Sequence, residues 1–142
     1  MLIGQYEHTL DSKGRLTLPA EYGAELASGV VLTRGMEGCL YLFPRDEFQR
    51  LSDRLRELSL TDSRARKLRR WLYPQAHAAE PDRQRRVVLP QWLRDMAGIE
   101  EKVMIAGMDN YIELWNPDAW RDQDHALRAE LDDADFFASL NV

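Results

Sequence analysis

The chain has little cysteine: one residue, Cys39, among 142. A lone thiol forms no intramolecular disulfide and no Cys-rich zinc site, so neither staples nor a zinc finger hold this fold together. The three histidines, His8, His77 and His125, show no metal-ligand spacing such as H-E-x-x-H and read as surface or turn residues, so no metal is expected. Long apolar runs are missing too. No stretch approaches the roughly 18 consecutive apolar residues of a membrane span. The opening MLIGQYEHTLDSKGR lacks the basic, apolar and small-residue layout of a signal peptide. The expectation is a cytoplasmic protein with no membrane partner. Phosphate-binding and nucleophile-elbow signatures (G-x-x-x-x-G-K-[ST], G-x-G-x-x-G, G-x-S-x-G) are also absent, and neither a cofactor nor an enzyme is expected.

What is present is an ordinary globular balance, 44% hydrophobic and 30% charged residues. The net charge of −5 argues against a protein that coats nucleic acid non-specifically. Its distribution is uneven. Residues 1–52 carry 5 basic and 7 acidic side chains, residues 53–94 carry 11 and 5, and residues 95–142 carry 3 and 12. An arginine-rich middle can therefore present a basic face while the acidic C-terminal part discourages promiscuous binding.

The chain repeats itself once. DSKGRLTLPAEY at 11–22 returns as DRQRRVVLPQWL at 82–93, matching Asp11 with Asp82, Arg15 with Arg86, Leu18 with Leu89 and Pro19 with Pro90. VLTRGMEGCLYLFPRDEF at 31–48 returns as VMIAGMDNYIELWNPDAW at 103–120, with one residue inserted between the two blocks. In each half a short apolar strand (Leu16 to Leu18; Val87 to Leu89) is stopped by proline, which opens a helical turn, Pro19 to Leu26 and Pro90 to Ala97. A hairpin follows, Val30 to Arg34 with Cys39 to Phe43, and Val103 to Ala106 with Tyr111 to Trp115, across Gly-containing tetrads. Asp46 as N-cap with Gln49 three residues on predicts a helix to about Leu60. Further helices are predicted over Asp62 to Tyr73 and within Asp118 to Leu140. The fold class is mainly β with flanking helices (α+β). Halves this small cannot cover their strand edges alone, so the economical arrangement is a pseudo-twofold barrel in which strands of one copy complete the sheet of the other.

Asp11 and Asp82 hold matching positions and could form an acid and base pair, but an Asp that opens a tight turn by accepting backbone N–H groups is the commoner use and accounts for Gly14 as well. Lys13, Arg15 and Arg34, with Arg83, Arg85 and Arg86, fall at strand starts or turns. From there a row of cations can reach phosphates or groove edges, or can equally form a solvated, ion-paired surface. The run Arg64 to Arg70 reads as an amphipathic helix packed against acidic neighbours, with Asp132 to Asp135 as candidates. Trp71, Trp92, Trp115 and Trp120 read as core or interface anchors rather than base-stacking platforms.

The opening GQYEHTLDSKGRLTLPAEY, the second copy DRQRRVVLP and the segment GMDNYIELWNPDAW together resemble the MraZ family over nearly the whole chain. The resemblance implies two tandem SpoVT-AbrB-like swapped-hairpin units, at 1–52 and 77–142, joined by connecting helices at 53–76, with the second unit carrying an acidic C-terminal helix. It further implies a sequence-specific, DNA-binding transcriptional regulator. The implied target is short tandem repeats in the promoter of the division and cell-wall gene cluster, with nucleoid association and a ring-like homo-oligomer. Asp11, Lys13, Gly14 and Arg15 match the family's Asp-x-Lys-Gly-Arg element; Asp82 and Arg86 match its second copy. Arg85 stands where the family usually has glycine, so it either adopts a left-handed conformation or forces a different turn. The implied DNA contacts are Lys13, Arg15, Arg83, Arg85 and Arg86, on turns formed by Asp11, Gly14 and Asp82. The competing class is an oligomeric scaffold or partner-binding protein whose arginines serve subunit interfaces.

Overall fold

A computed structural model describes residues 1–131 and 134–141. The chain opens with β1 (Gln5–Thr9) and β2 (Arg15–Thr17), then a 3-10 turn at Ala20–Tyr22 leading into α1 (Gly23–Leu26). The hairpin β3 (Val30–Arg34) and β4 (Leu40–Pro44) follows, then helices α2 (Arg45–Arg56) and α3 (Ser63–Leu72). The second half repeats the order with β5 (His77–Ala79), β6 (Arg86–Val88), α4 (Gln91–Ala97), β7 (Lys102–Gly107) and β8 (Ile112–Trp115). It closes with α5 (Pro117–Leu131) and α6 (Ala134–Ser139).

The strands form a six-stranded antiparallel sheet in the order β1-β7-β8-β4-β3-β5, and a separate two-stranded ribbon of β2 and β6. Each half's first strand pairs with the hairpin of the other, β1 with β7 and β5 with β3. At the sheet centre Leu40 faces Leu114 and Leu42 faces Ile112 on either side of Tyr41 and Glu113, a register that is its own image under the repeat. No closed barrel forms among the described residues, which corrects the barrel expectation. The reason lies at the end of β1. The ladder with β7 stops at Thr9 opposite Lys102, Leu10 N–H donates to the Glu101 carbonyl, and the Asp11 turn carries the chain off the sheet into the ribbon. β1 and β5 are left as the outer strands of the sheet, each paired on one edge.

Leucine, isoleucine and valine from both halves fill one core: Leu16, Leu18, Leu32 and Leu42 from the first, Leu89, Leu93, Ile105 and Leu114 from the second, all at most 1% exposed. Burial of each such side chain contributes roughly 1.5–3 kcal/mol. The N-terminus is tied down by Leu2, whose N–H and C=O both bond to Asp109 at 2.8 and 2.7 Å. Tyr22 seals it, its hydroxyl donating to the Ile3 carbonyl at 2.6 Å. Gly107 is needed where this strap crosses β7, since a Cβ there would lie 2.6 Å from the Leu2 carbonyl oxygen.

Several local expectations shift. Pro44, not Asp46, is the N-cap of α2, because β4 runs straight into the helix, and Gln49 donates to Asp53 instead. That helix stops at Arg56, leaving Leu58 and Leu60 exposed. Asp62 caps α3, accepting the Arg64 N–H at 2.9 Å, a cap the helix range alone did not call for. Of the four tryptophans only Trp115 is buried; Trp71 and Trp92 lie exposed, each donating its indole N–H to a backbone carbonyl, of Gly35 and Gln75. The predicted C-terminal helix is two helices, and Asp132 and Asp133, expected near the arginine run, lie outside the described residues. Among the described residues no helix is long and apolar enough to cross a membrane, and no group of three or more His, Cys, Asp or Glu side chains could hold a metal ion.

Candidate nucleic-acid interface

The ribbon is built by two copies of one turn. Asp11 Oδ1 accepts the backbone N–H groups of Lys13 and Arg15, both at 2.9 Å, and its Oδ2 accepts Arg15 Nε at 2.6 Å. Asp82 repeats this with Gln84 and Arg86, at 2.9 Å for both N–H groups and 2.8 Å for Arg86 Nε. The backbone N–H of Arg15, with help from its guanidinium and from the Lys13 N–H, holds the Asp11 carboxyl below its usual range. Arg86 does the same to Asp82. Both aspartates are therefore turn-formers at opposite ends of the ribbon, and they make no facing acid–base pair.

Gly14 takes a left-handed φ of 73° and Arg85 a φ of 61°. Arg85 therefore adopts the conformation glycine would have taken, and the second turn keeps the shape of the first. Gly14 N–H donates to Asp11 O at 3.0 Å and Arg85 N–H to Asp82 O at 2.9 Å. The turns also lock across the halves, Leu18 N–H to Arg85 O and Leu89 N–H to Gly14 O, both 2.8 Å.

From the turns the strands pair as Arg15 with Val88, Leu16 with Val87 and Thr17 with Arg86. Side chains alternate across a strand, so Leu16 and Val87 point into the core while Arg15, Thr17, Arg86 and Val88 share the outward face. Lys13 and Arg83 stand exposed at the two tips, and no carboxylate among the described residues lies within ion-pair distance of either. His8 Nδ1 sits 2.5 Å from the Thr17 carbonyl and fixes the ribbon against β1.

The family model for the MraZ protein matches this chain twice, over residues 1–71 and 72–139. The chain belongs to the MraZ family. Among curated relatives, a Transcriptional regulator MraZ of Deinococcus radiodurans is 40% identical over 140 residues, 99% of each chain. Proteins of the same name from Thermomicrobium roseum and Salinispora arenicola are 40% and 42% identical over 130 and 135 residues. These alignments cover 92% of each chain for the first, and 95% of this chain and 94% of the relative for the second. All three names describe a regulator, not an enzyme.

Of the residues singled out from the MraZ motif, the structure brings Lys13, Arg15, Arg83, Arg85 and Arg86 onto one ribbon with the turn residues Asp11, Gly14 and Asp82. Arg34 lies elsewhere: it closes β3, donates through Nε to the Trp71 carbonyl, and holds its guanidinium 3.8 Å above the Trp71 ring. Arg85 is engaged as well, its Nε donating to the Leu18 carbonyl at 3.2 Å. Three positions at the ribbon escaped the motif. Thr17 and Val88 were readable from the alternation Arg-Leu-Thr and Arg-Val-Val. Arg94, whose Nε donates to the Leu89 carbonyl at 2.9 Å, had no local signal on its helix.

Proposed function

We propose that this chain is a sequence-specific, DNA-binding transcriptional regulator and that the β2–β6 ribbon reads the DNA. One observation carries the reading: a two-stranded ribbon that exposes Arg15, Thr17, Arg86 and Val88 between two cationic tips. A two-stranded β-ribbon fits a major groove about 12 Å wide. Its arginines can donate to guanine edges, a threonine can meet any base, and tip cations meet phosphate. The Asp11 and Asp82 carboxylates hold the Nε side of each guanidinium and so aim it. The relatives' names support the regulatory role.

The finer reading is a pair of tandem swapped-hairpin AbrB-like units, at 1–52 and 77–142 with connecting helices at 53–76. Strand exchange between the halves supports it. The proposed target is short tandem repeats in the promoter of the division and cell-wall gene cluster, bound by a ring-like homo-oligomer on the nucleoid. A net charge of −5 and few phosphate contacts per chain favour such avidity, because neighbouring subunits convert later contacts into intramolecular ones. The exposed Phe136, Phe137 and Leu140 support self-association.

A band-shift titration with the DNA upstream of its own gene tests the reading, beside a scrambled duplex of equal length and duplexes of one, two and three repeats. Tight binding to the native duplex, rising steeply with repeat number, is expected. Equal affinity for the scrambled duplex would remove sequence-specific regulation and leave the scaffold reading.

A further inference from the structure

The two ribbon turns are held by guanidinium groups delivered from opposite sides. Over the second turn, Arg85 supplies its own side chain, and its Nε donates to the Leu18 carbonyl at 3.2 Å. Over the first turn the equivalent residue is Gly14, which has no side chain to give. There Arg94 reaches across from α4 and donates to Leu89 O at 2.9 Å, and Leu89 is the repeat equivalent of Leu18. The exchange is reciprocal. Arg94 itself corresponds in the repeat to Gly23, and Gly23 lies under Arg85: a Cβ on Gly23 would meet Arg85 Cδ at 3.6 Å, while a Cβ on Gly14 would meet Arg94 Nη2 at 3.0 Å. Each turn thus has one glycine and one arginine at the same two positions, in opposite order.

We infer that Arg94 is the positioning residue of the first turn, the counterpart of Arg85 in the second, and that it presents Lys13 and Arg15 to DNA without itself touching phosphate. This rests on the DNA reading above. The Leu18 and Leu89 carbonyls follow directly on the ribbon strands and have left the ladder, so each needs a donor from elsewhere. A guanidinium satisfies that acceptor, fixes the exit of the strand from the turn, and leaves a cation near the ribbon end in both halves. The two ends of the interface therefore match in shape and charge, although only one turn contains the glycine.

The test transplants the arrangement of the second half into the first. Arg94→Ala removes the donor and keeps the helix; Gly14→Arg alone drives a side chain into Arg94. The pair Gly14→Arg with Arg94→Ala keeps the parent's net charge. It also clears the crowding, because the next neighbour of the new Cβ is Leu89 O at an ordinary 3.7 Å. Arg85 shows that arginine accepts the required φ. Expected are a loss of about tenfold or more in affinity for the upstream duplex with Arg94→Ala, from removal of a charged hydrogen bond. The dependence of binding on salt should be unchanged, a further loss is expected with Gly14→Arg alone, and most of the affinity should return in the double variant. Melting temperatures should follow the same order. Parent-like binding by Arg94→Ala, a salt slope lower by about one per engaged chain, or a double variant no better than the weaker single one would each overturn the inference. If the parent binds no DNA, the proposed function fails by itself, and the positioning role stands or falls on whether the double variant recovers the melting temperature lost in the singles.

Discussion

Tyr41 stands opposite Glu113 at the centre of the six-stranded sheet, and the two are the same position of the duplicated half. One copy placed a phenol there and the other a carboxyl. Glu113 is half-buried, accepts the Trp115 indole N–H at 3.0 Å, and loses enough hydration for its carboxyl to be pushed above the usual range, with Glu37 adding repulsion. A raised carboxyl favours the protonated form in the fold. The stabilisation is complete below the ordinary carboxylate range and is lost as pH rises through the folded value.

Glu113→Gln should therefore raise the melting temperature at neutral pH and lose that advantage on acidification. Thermal unfolding across the acid range checks it. An advantage that grows as pH falls would show that the charge is not destabilising in the fold.

Arg15→Ala should weaken binding to the upstream duplex by roughly 1–3 kcal/mol per engaged subunit and flatten the preference over a scrambled duplex. Arg86→Ala should do the same, since the ribbon register makes the two equivalent. Anisotropy titrations at several salt concentrations, with light scattering to confirm that assembly is unchanged, measure both. Retention of full affinity by an intact assembly would shift these arginines to the interface reading.

Gly107→Ala should destabilise the fold by about 1–3 kcal/mol through overpacking, because the new methyl group would meet the Leu2 carbonyl oxygen at 2.6 Å, Leu2 C at 2.7 Å and Ile3 N at 2.7 Å. The N-terminal strap should show faster amide exchange. Denaturant unfolding at the parent's midpoint would refute the close approach.

Tyr22→Phe should cost about 1 kcal/mol for the lost bond to the Ile3 carbonyl. Burial pushes the Tyr22 phenol up to about 12, so its neutral form is favoured in the fold. That stabilisation is complete below the ordinary value of 10.0 and disappears as pH rises through about 12. The parent should lose more stability than the variant over that alkaline window. A constant difference between them would contradict the burial of the hydroxyl.

Much of this architecture is legible in the residues, and the reasons for the misses are physical. The hairpin β3–β4 and the helix α3 carry strong local signals, short apolar runs joined by a Gly-containing tetrad and Ala65, Leu68 and Leu72 at helical spacing, and both form within a residue of where those signals put them. β1 and β5 went unread because Gln5–Thr9 and His77–Ala79 are outer strands with weak apolar patterning, and only their partners on the opposite half make them strands. The ribbon turns were legible from Asp-x-x-x-Arg. The partnership of Arg85 with Gly23 and of Gly14 with Arg94 was not, because it joins residues brought together only by the exchange of halves.

That exchange has a consequence during synthesis. When residues 1–76 have left the ribosome, β1 still lacks β7, β2 lacks β6, β3 lacks β5 and β4 lacks β8. The emerging half therefore offers four strands that lack a partner and a half-built core, and almost every pairing that buries their edges spans long sequence separations. It should be held by chaperones, or kept soluble by its charges, until the second half arrives to close it.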